Sequence, residues 1–324
     1  MRKHLLISVI NNYEWDDLIP FFNSYKLAKF ENCECVMFTE NVPDSTLEKM
    51  RNFGITVSPV PERFNGCRAN GFRWELYRDY IADNMENYDM IFTADTRDLI
   101  FQDDVFKHCN PDVPFLGFAY EDVLIANSDR AKEYIIKFFG DEAFEAVKEN
   151  LYICMGTVWG TSEKFYEFAK CMSEYIGPDK YKVSMSDQAI ANYLIYHEKI
   201  LDRILSQDDN VIYSSNSEGY VMTIGLLDHA KLTIDSEGRI LNAKGDIASV
   251  VHQYDRNPEA IKAVMKKYCE GMSLFSRFVF RNYNKKAVSF CKRLTYLIRR
   301  ERKRGNLIRA LTDEILRRLK LKVL

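Results

Sequence analysis

The sequence predicts an α/β protein built around a Rossmann-like, mostly parallel sheet. Over the first hundred residues, short apolar runs alternate with segments whose apolar residues recur at helical spacing. Three such strand–helix units precede a fourth apolar run, an order that implies a doubly wound sheet with right-handed crossovers. That fourth run, residues 90–94, ends directly in the carboxylates of Asp95 and Asp98.

The elements of this first half are defined by their apolar patterns and by the residues that end them. The run at 5–10 stops at two asparagines without a small-residue cleavage site, which favours a first strand over a signal peptide. Ser45 is a helix-capping residue, and Gly54 is a helix stop. The predicted order is strand 5–10, helix 15–28, strand 35–38, helix 45–53, strand 55–60, helix 69–84 and strand 90–94.

The second half is less regular, and its elements are predicted from apolar runs, capping residues and one turn signal. The predicted order is strand 113–119, helices 128–139 and 142–150, strand 151–159, helices 162–176 and 186–196, a hairpin of 232–234 with 239–241, and strand 249–252.

Composition sets limits on the class of protein. The 324 residues suffice for one large domain or two modest ones, and 47% hydrophobic with 28% charged residues is typical of a soluble globular chain. The eight cysteines form no compact disulfide framework, which favours reduced thiols in a cytosolic protein. No run of 18 apolar residues predicts a membrane-spanning helix.

Charge is distributed unevenly along the chain. Residues 271–324 hold 16 Lys/Arg against 3 Asp/Glu, whereas residues 1–270 hold 29 against 44. The two parts therefore carry +13 and −15, although the whole chain carries only −2. This asymmetry predicts that the C-terminal tail has an anionic partner of its own.

The carboxylates after strand 90–94 point to metal and nucleotide chemistry. Open α/β sheets bind ligands at the C-terminal ends of their strands, where Asp95 and Asp98 are predicted to lie. Mg2+ and Mn2+ prefer such oxygen ligands together with substrate phosphates. The pattern therefore predicts an enzyme that handles a nucleoside diphosphate group. The alternative is an ordinary turn or helix cap built from the same residues.

The acidic motif carries a family resemblance. Asp95-Thr96-Arg97-Asp98, continued by 99–102, resembles the Asp-x-Arg-Asp-x-x-Phe-Gln string of a subset of bacterial and plant sugar transferases, and it departs from a strict Asp-x-Asp. With three further stretches, the chain resembles GT-A glycosyltransferases over roughly residues 3–260, especially the glycogenin-like and lipopolysaccharide galactosyltransferase-like retaining enzymes. The three stretches are 154–160, with Cys154 where those enzymes carry asparagine, 186–192 and 250–256.

The resemblance implies a metal site and a catalytic pair. Mn2+ or Mg2+ would be held by Asp95, Asp98 and His252. Asp187 and Gln188 would face the donor sugar and its reacting carbon. From the residues alone, His252 could instead be a core histidine, and Asp187 could simply cap the helix that begins near 186.

The same resemblance implies contacts to the nucleotide-sugar donor. Gly156 would let the backbone approach the ligand closely, since it has no side chain. Thr93 and Ala94, at the end of the fourth strand, would line the donor site. Arg68 or Arg73, on the helix beside the donor, would contact a phosphate. The alternative for the two arginines is a solvated helix face.

The predicted function is transfer of a sugar from a nucleotide-sugar, with UDP as the expected nucleotide, to a glycan or lipid-linked acceptor. Retention of configuration is expected, in surface polysaccharide or glycoconjugate synthesis. Residues 1–110 would bind the nucleotide-sugar, and 111–262 would form the acceptor half of the same domain. A sugar-phosphate nucleotidyltransferase is an alternative, but it usually has a glycine-rich loop after the first strand, and residues 7–12 have none. A non-catalytic docking protein is a third reading.

The tail, residues 271–324, is predicted to form basic amphipathic helices. Apolar stripes among basic residues are typical of helices that lie on anionic bilayers, so we expect a peripheral protein on the cytoplasmic face of the membrane. The alternative is packing on the catalytic body or on a second subunit. No nucleic-acid partner is expected, because the aromatic residues are embedded in the apolar stripes.

Overall fold

The computed structural model describes residues 2–183, 186–228, 232–274 and 276–277. Residues Met1–Glu270 form one compact unit, and Gly271–Leu324 form a second. The predicted amphipathic helices of the tail lie outside the described residues from 278 onward. In the described ranges, no helix is long and apolar enough to cross a bilayer.

The elements follow the predicted order through the first unit. The strands are β1 Lys3–Asn11, β2 Cys33–Glu40, β3 Thr56–Pro59, β4 Tyr88–Ala94, β5 Leu99–Phe101, β6 Phe115–Leu124, β7 Leu151–Thr161, β8 Asn210–Ser214, β9 Val221–Thr223, β10 Thr233–Ile234, β11 Ile240–Leu241 and β12 Val250–His252. The helices are α1 Trp15–Ala28, α2 Asp44–Asn52, α3 Ala69–Asn84, α4 Asp129–Phe139, α5 Asp141–Val147, α6 Ser162–Lys180, α7 Ser186–Tyr196, α8 Leu201–Ile204 and α9 Pro258–Tyr268.

The central sheet has the strand order β3-β2-β1-β4-β7-β6-β8. Strands β3, β2, β1 and β4 are mutually parallel, and β8 is parallel to β6. Strand β7 runs antiparallel to both of its neighbours. The predicted α/β class with a mostly parallel sheet is therefore confirmed.

Alternation along β1 explains why helices cover both faces of the sheet. Leu5 and Ile7 are fully buried in one cluster with aromatic residues of α3 and α6. Leu6 and Ile10 are fully buried in a second cluster with apolar residues of α1. Because successive strand residues point to opposite faces, one apolar strand supplies both cores. Each such side chain contributes about 1.5–3 kcal/mol on burial.

The sheet reverses its winding between β1 and β4. The chain passes from β1 outward to β2 and β3, then returns to place β4 on the other side of β1. In open α/β sheets, the crevice at the C-terminal ends of two such strands is the usual ligand site. The loops that follow Asn11 and Ala94 border this crevice.

A small three-stranded sheet, β5-β12-β9, lies beyond the end of β4. Strand β12 runs antiparallel to β5, with His252 opposite Leu99, and parallel to β9. Strand β12 was predicted within 249–252, but β5, β8 and β9 were not predicted. The strands of this sheet have three residues each, which is too short for an alternation to stand out.

Helix α6 is interrupted at the position where the sequence predicts that it ends. The helix was expected to end at Ile176, and the next residue, Gly177, has non-helical angles with a φ of 61°. Pro178 follows it and starts a further helical turn that continues to Lys180. A left-handed φ is unfavourable for side-chain-bearing residues, so glycine at this position sets the break.

Candidate functional site

Three candidate metal ligands meet at the C-terminal end of β4. Asp95, Asp98 and His252 each offer a ligand atom, and these atoms all lie within 4.8 Å of one another. Residues 95–98 form a turn with a carboxylate at each end, the acidic turn. The backbone N–H of Asp95 donates to the Gly156 carbonyl over 2.8 Å, so β7 fixes the start of this turn. The structure therefore brings the three predicted residues together.

The small sheet explains how His252 reaches the two carboxylates. Pairing of β12 with β5 places His252 opposite Leu99, the residue after Asp98. The next backbone N–H, of Gln253, donates to the Asp98 carbonyl over 2.7 Å. His252 Nε2 then lies 3.7 Å from Asp95 Oδ2 and 3.8 Å from Asp98 Oδ1.

The two nitrogens of His252 have different surroundings. Nδ1 lies 3.6 Å from the sulfur of Cys154, on β7. The Gln253 side-chain amide approaches the same sulfur at 4.0 Å. Nε2 is buried, and it makes no hydrogen bond to the residues that the structure describes. A buried polar atom without a partner is unfavourable, and here it faces two carboxylates.

Gly156 is required by the packing of this cluster. A Cβ at this position would lie 2.2 Å from His252 Cε1 and 3.0 Å from Asp95 Oδ2. Such a contact cannot form unless the imidazole moves. Any residue other than glycine would therefore displace His252 from the carboxylates.

The donor set fits a hard divalent cation. One imidazole nitrogen and two carboxylates suit Mn2+ or Mg2+, which complete their shells with water or phosphate oxygens. The unpartnered Nε2 of His252 is the specific sign of such a fit, because a bound cation would satisfy it.

The charges of the three groups affect one another. Burial would raise the pKa of Asp95, but Arg73 and then His252 hold it below its usual range. Burial raises the pKa of Asp98, although the nearby Arg97 and His252 oppose this. Burial disfavours the charged form of His252, yet the Cys154 sulfur and the two carboxylates raise its pKa well above 6.5.

Arg73 connects the acidic turn to α7. Its guanidinium is buried and donates from Nη1 to Asp95 Oδ1 over 2.8 Å. Its Nη2 donates both to Asp187 Oδ2 and to the Met155 carbonyl. One side chain from α3 therefore fixes both carboxylates relative to β7. Sequence analysis predicted that Arg68 or Arg73 contacts a phosphate; that remains a prediction, and the partners of Arg73 in the structure are these protein groups.

The stretch that begins α7 is tied to β6 and β7. The Gln188 side-chain amide donates to Glu121 Oε1 over 2.9 Å. Asn192 forms two hydrogen bonds with the backbone of Ile153, one accepting and one donating, each 2.9 Å long. Asp187 also accepts a hydrogen bond from the Gln188 backbone N–H. Asp187, the second residue of α7, therefore combines this local hydrogen bond with the buried ion pair to Arg73.

The remaining predicted donor contacts separate into two groups. Thr93 and Ala94 are the last two residues of β4, and both are buried directly before the acidic turn. Arg68 is exposed at the start of α3, and its Nε donates to the Lys182 carbonyl over 3.2 Å. Among the described contacts, Arg68 does not join the network that Arg73 forms.

Sequence analysis missed three participants. Glu121 is buried beside Gln188. Asp255 is buried and accepts a hydrogen bond from Arg97 over 2.8 Å, which anchors the acidic turn. Tyr13 lies in the loop after β1. Burial raises the pKa of its hydroxyl, and the charges of Arg97 and Asp98 also affect that pKa. The signal for Glu121 was an acidic pair within an otherwise apolar strand.

Comparisons with known proteins give likenesses of fold. No protein-family model and no curated protein match the chain. A crystal structure of the galactosyltransferase LgtC with donor and acceptor sugar analogs is 15% identical, with a TM-score of 0.45, and the match covers 77% of this chain and 86% of that one. The glycosyltransferase GlyE from Streptococcus pneumoniae TIGR4 is 12% identical, with a TM-score of 0.49, and the match covers 89% and 64% respectively. Core-mannan synthase A from Aspergillus fumigatus, in an Mn/GDP form, is 14% identical, with a TM-score of 0.35, and the match covers 60% and 70%.

Proposed function

We propose that the chain is a glycosyltransferase that depends on a divalent metal and uses a nucleotide-sugar donor. The observation that carries this proposal is the buried, unpartnered Nε2 of His252 facing Asp95 and Asp98. The cluster lies at the switch point of the sheet, where α/β proteins bind nucleotides. The order of the sequence motifs adds independent support from the resemblance to GT-A enzymes.

Asp95, Asp98 and His252 would hold Mn2+ or Mg2+. A cation bound there supplies Lewis-acid stabilisation of the negative charge that develops on a leaving diphosphate. Gly156 leaves room for this arrangement at the floor of the site. Arg73 keeps Asp95 oriented toward the cluster and Asp187 oriented toward β7. Gln188 follows Asp187 in the first turn of α7 and would face the donor sugar.

We infer that transfer proceeds with retention of configuration. An inverting enzyme needs a carboxylate base beside the acceptor hydroxyl. Asp187 is a poor base for that role, because it is occupied by Arg73 and by the Gln188 backbone N–H. A retaining enzyme of this kind requires no such base, and the leaving phosphate takes the acceptor proton. NMR of the first-formed sugar anomer after donor hydrolysis would test this, and an inverted anomer would exclude it.

The donor and acceptor are proposed from the resemblance. A UDP-sugar is the expected donor, and a glycan or lipid-linked sugar the expected acceptor, in the synthesis of surface polysaccharide or glycoconjugates. The first experiment is to incubate the purified protein with a panel of nucleotide-sugars and Mn2+, and to measure free sugar and nucleotide. Hydrolysis of one donor that stops with EDTA and returns with Mn2+ is expected. Full turnover in chelator would exclude the metal role.

The nucleotidyltransferase alternative has a separate signature. Such an enzyme would release pyrophosphate from a nucleoside triphosphate and a sugar phosphate. Adding these substrates to the same panel separates the two reactions by their products. Pyrophosphate release without nucleotide-sugar hydrolysis would replace the proposal with that alternative.

We also propose that the tail holds the enzyme at the cytoplasmic face of an anionic membrane. Its net charge of +13 supports this, since each basic residue near such a surface contributes about 1 kcal/mol. Full-length protein should sediment with anionic vesicles at low salt, and protein that ends at Glu270 should not. A full-length variant with Lys292, Arg293, Arg299 and Arg300 changed to glutamine provides the charge control. Failure of the full-length protein to bind vesicles would exclude the membrane role.

A further inference from the structure

Glu121 is a buried carboxylate that forms no ion pair with any of the residues that the structure describes. It is 5% exposed and lies near the C-terminal end of β6. Its one hydrogen bond within the described residues comes from the Gln188 side-chain amide. The neighbouring ionisable groups that its charge affects are Tyr152 and Cys154, neither of which is a cation. Burial of an unpaired carboxylate is unfavourable for folding, and such groups are concentrated at functional sites.

An irregularity in β6 directs Glu121 toward α7. The pairing of β6 with β7 shifts register between Tyr120 and Leu124. Within that interval, Asp122 has a left-handed φ of 52°, and its carboxylate accepts a hydrogen bond from the Asn216 backbone N–H over 2.8 Å. Bulges of this kind turn side chains away from the regular alternation, and they are frequent beside active sites.

The chemistry of the pair fixes which way the Gln188 amide points. The Gln188 NH2 group donates to Glu121 Oε1, so the amide is held by its NH2 side. The Gln188 carbonyl oxygen, Oε1, therefore points in another direction. No hydrogen bond to Oε1 occurs among the described residues, so this acceptor atom is left available at the start of α7.

The backbone of Gln188 is fixed independently of Glu121. The Gln188 carbonyl accepts a hydrogen bond from Asn192 over 2.8 Å, and Asn192 is bonded to the β7 backbone at Ile153. The Gln188 N–H donates to the Asp187 carboxylate. Loss of Glu121 would therefore free the end of the side chain while the helix stays in place.

We propose that Glu121 is a positioning residue that acts through Gln188. Its carboxylate holds the amide by the NH2 group and presents Gln188 Oε1 to the sugar-transfer site. This inference rests on the proposed glycosyltransferase function, because it assigns Oε1 to the donor sugar. An acceptor oxygen at that place can receive a sugar hydroxyl, or it can face the positive charge that builds up at the reacting carbon.

The activity test is a double-mutant cycle on Glu121 and Gln188. Glu121→Gln replaces the carboxylate that accepts the Gln188 hydrogen bond by an amide of similar volume. We expect kcat for donor turnover to fall about tenfold or more, which is typical when a residue that orients an active-site group is changed. Nucleotide affinity should not change. In a Gln188→Ala background, Glu121→Gln should not lower kcat further, because the side chain through which Glu121 acts has been removed. Losses that multiply in the double variant would overturn the proposal.

A matched control and a second readout complete the test. Glu133→Gln makes the same chemical change at an exposed position of α4 and should leave kcat unchanged. In 15N-labelled protein, the Gln188 side-chain NH2 signal is identified by its disappearance in Gln188→Ala. It should shift and exchange faster with solvent in Glu121→Ala. An unmoved signal would overturn the proposal even if no donor is turned over, whereas a moved signal without turnover would count against the glycosyltransferase assignment alone.

Discussion

Arg73 forms ion pairs with two acidic clusters, and the clusters differ in how many of their polar atoms are hydrogen-bonded to protein groups. In the cluster of candidate metal ligands (Asp95, Asp98 and His252; the metal cluster), the Asp95 side chain is 45% exposed, and His252 Nε2 forms no hydrogen bond within the described part of the chain. In the α7 cluster (Asp187, Gln188 and Glu121), the Asp187 side chain is 3% exposed. Each member of the α7 cluster also forms at least one hydrogen bond to a protein group.

This difference indicates two kinds of role. Under the proposed function the metal cluster binds a cation, so its residues are expected to contribute to binding more than to folding. The α7 cluster is already ordered by protein contacts, so its residues are expected to contribute to both stability and preorganisation. Arg73 belongs to both clusters, and substitutions around it can separate the two roles.

The largest effect is expected for Arg73→Ala. It would leave Asp187 buried without its cation, a change that typically costs about 3–5 kcal/mol of stability. Chemical denaturation should show the loss. Arg73→Lys retains the positive charge without the forked geometry of the guanidinium, so its unfolding free energy should lie between those of wild type and Arg73→Ala. Wild-type stability in Arg73→Ala would mean that Asp187 is not held as a buried ion pair.

Asp95→Asn should separate binding from folding. The unfolding free energy should change little, because the side chain is half exposed, but metal-dependent donor turnover should fall about 100- to 1000-fold. Turnover with Mn2+ and the denaturation midpoint should be measured on the same preparation. Asp103→Asn, at an exposed carboxylate after β5, is the matched control. Equal turnover in Asp95→Asn and wild type would remove Asp95 from the site.

Gly156→Ala should disturb the metal cluster through packing alone. The added methyl would force the His252 ring to move, so Mn2+ affinity measured by EPR should weaken about 10- to 100-fold, comparable with His252→Ala. Overpacking should also cost about 1–3 kcal/mol of stability. If Gly156→Ala binds Mn2+ as tightly as wild type, the imidazole is not confined between β7 and the carboxylates.

The smallest effect is expected from pH. The pKa of His252 is raised in the folded protein, so protonation stabilises the fold below 6.5, and this stabilisation is lost as the pH rises through the folded pKa. Without metal, stability should decline above pH 6.5 by at most about 1.4 kcal/mol per pH unit. Mn2+ competes with that proton, so the increase in Tm on adding Mn2+ should grow over the same range. His252→Gln should show neither trend.

The two halves of the fold differ in how far the sequence predicts them. Strands 5–10 and 90–94 were predictable because apolar runs with helices between them leave few alternatives. The grouping of Asp95, Asp98 and His252 was predicted from motif order, and the structure brings these residues together. The pairing of Arg73 with Asp187 was not predictable, because the two residues are 114 positions apart. Glu121 was missed for a different reason: the acidic pair in β6 marks the position, but the direction of the side chain depends on a register shift that the sequence does not show.

The small sheet β5-β12-β9 sets an order of events during synthesis of the protein. Both carboxylates precede β5 and leave the ribosome early, whereas His252 arrives only with β12, near the end of the first compact unit. Among the described strands, β5 pairs with β12 alone, so it gains this partner only when β12 has been made. A nascent chain that stops before residue 250 therefore carries the acidic turn without the histidine. Under the proposed function, metal binding would therefore be one of the last steps in forming this unit.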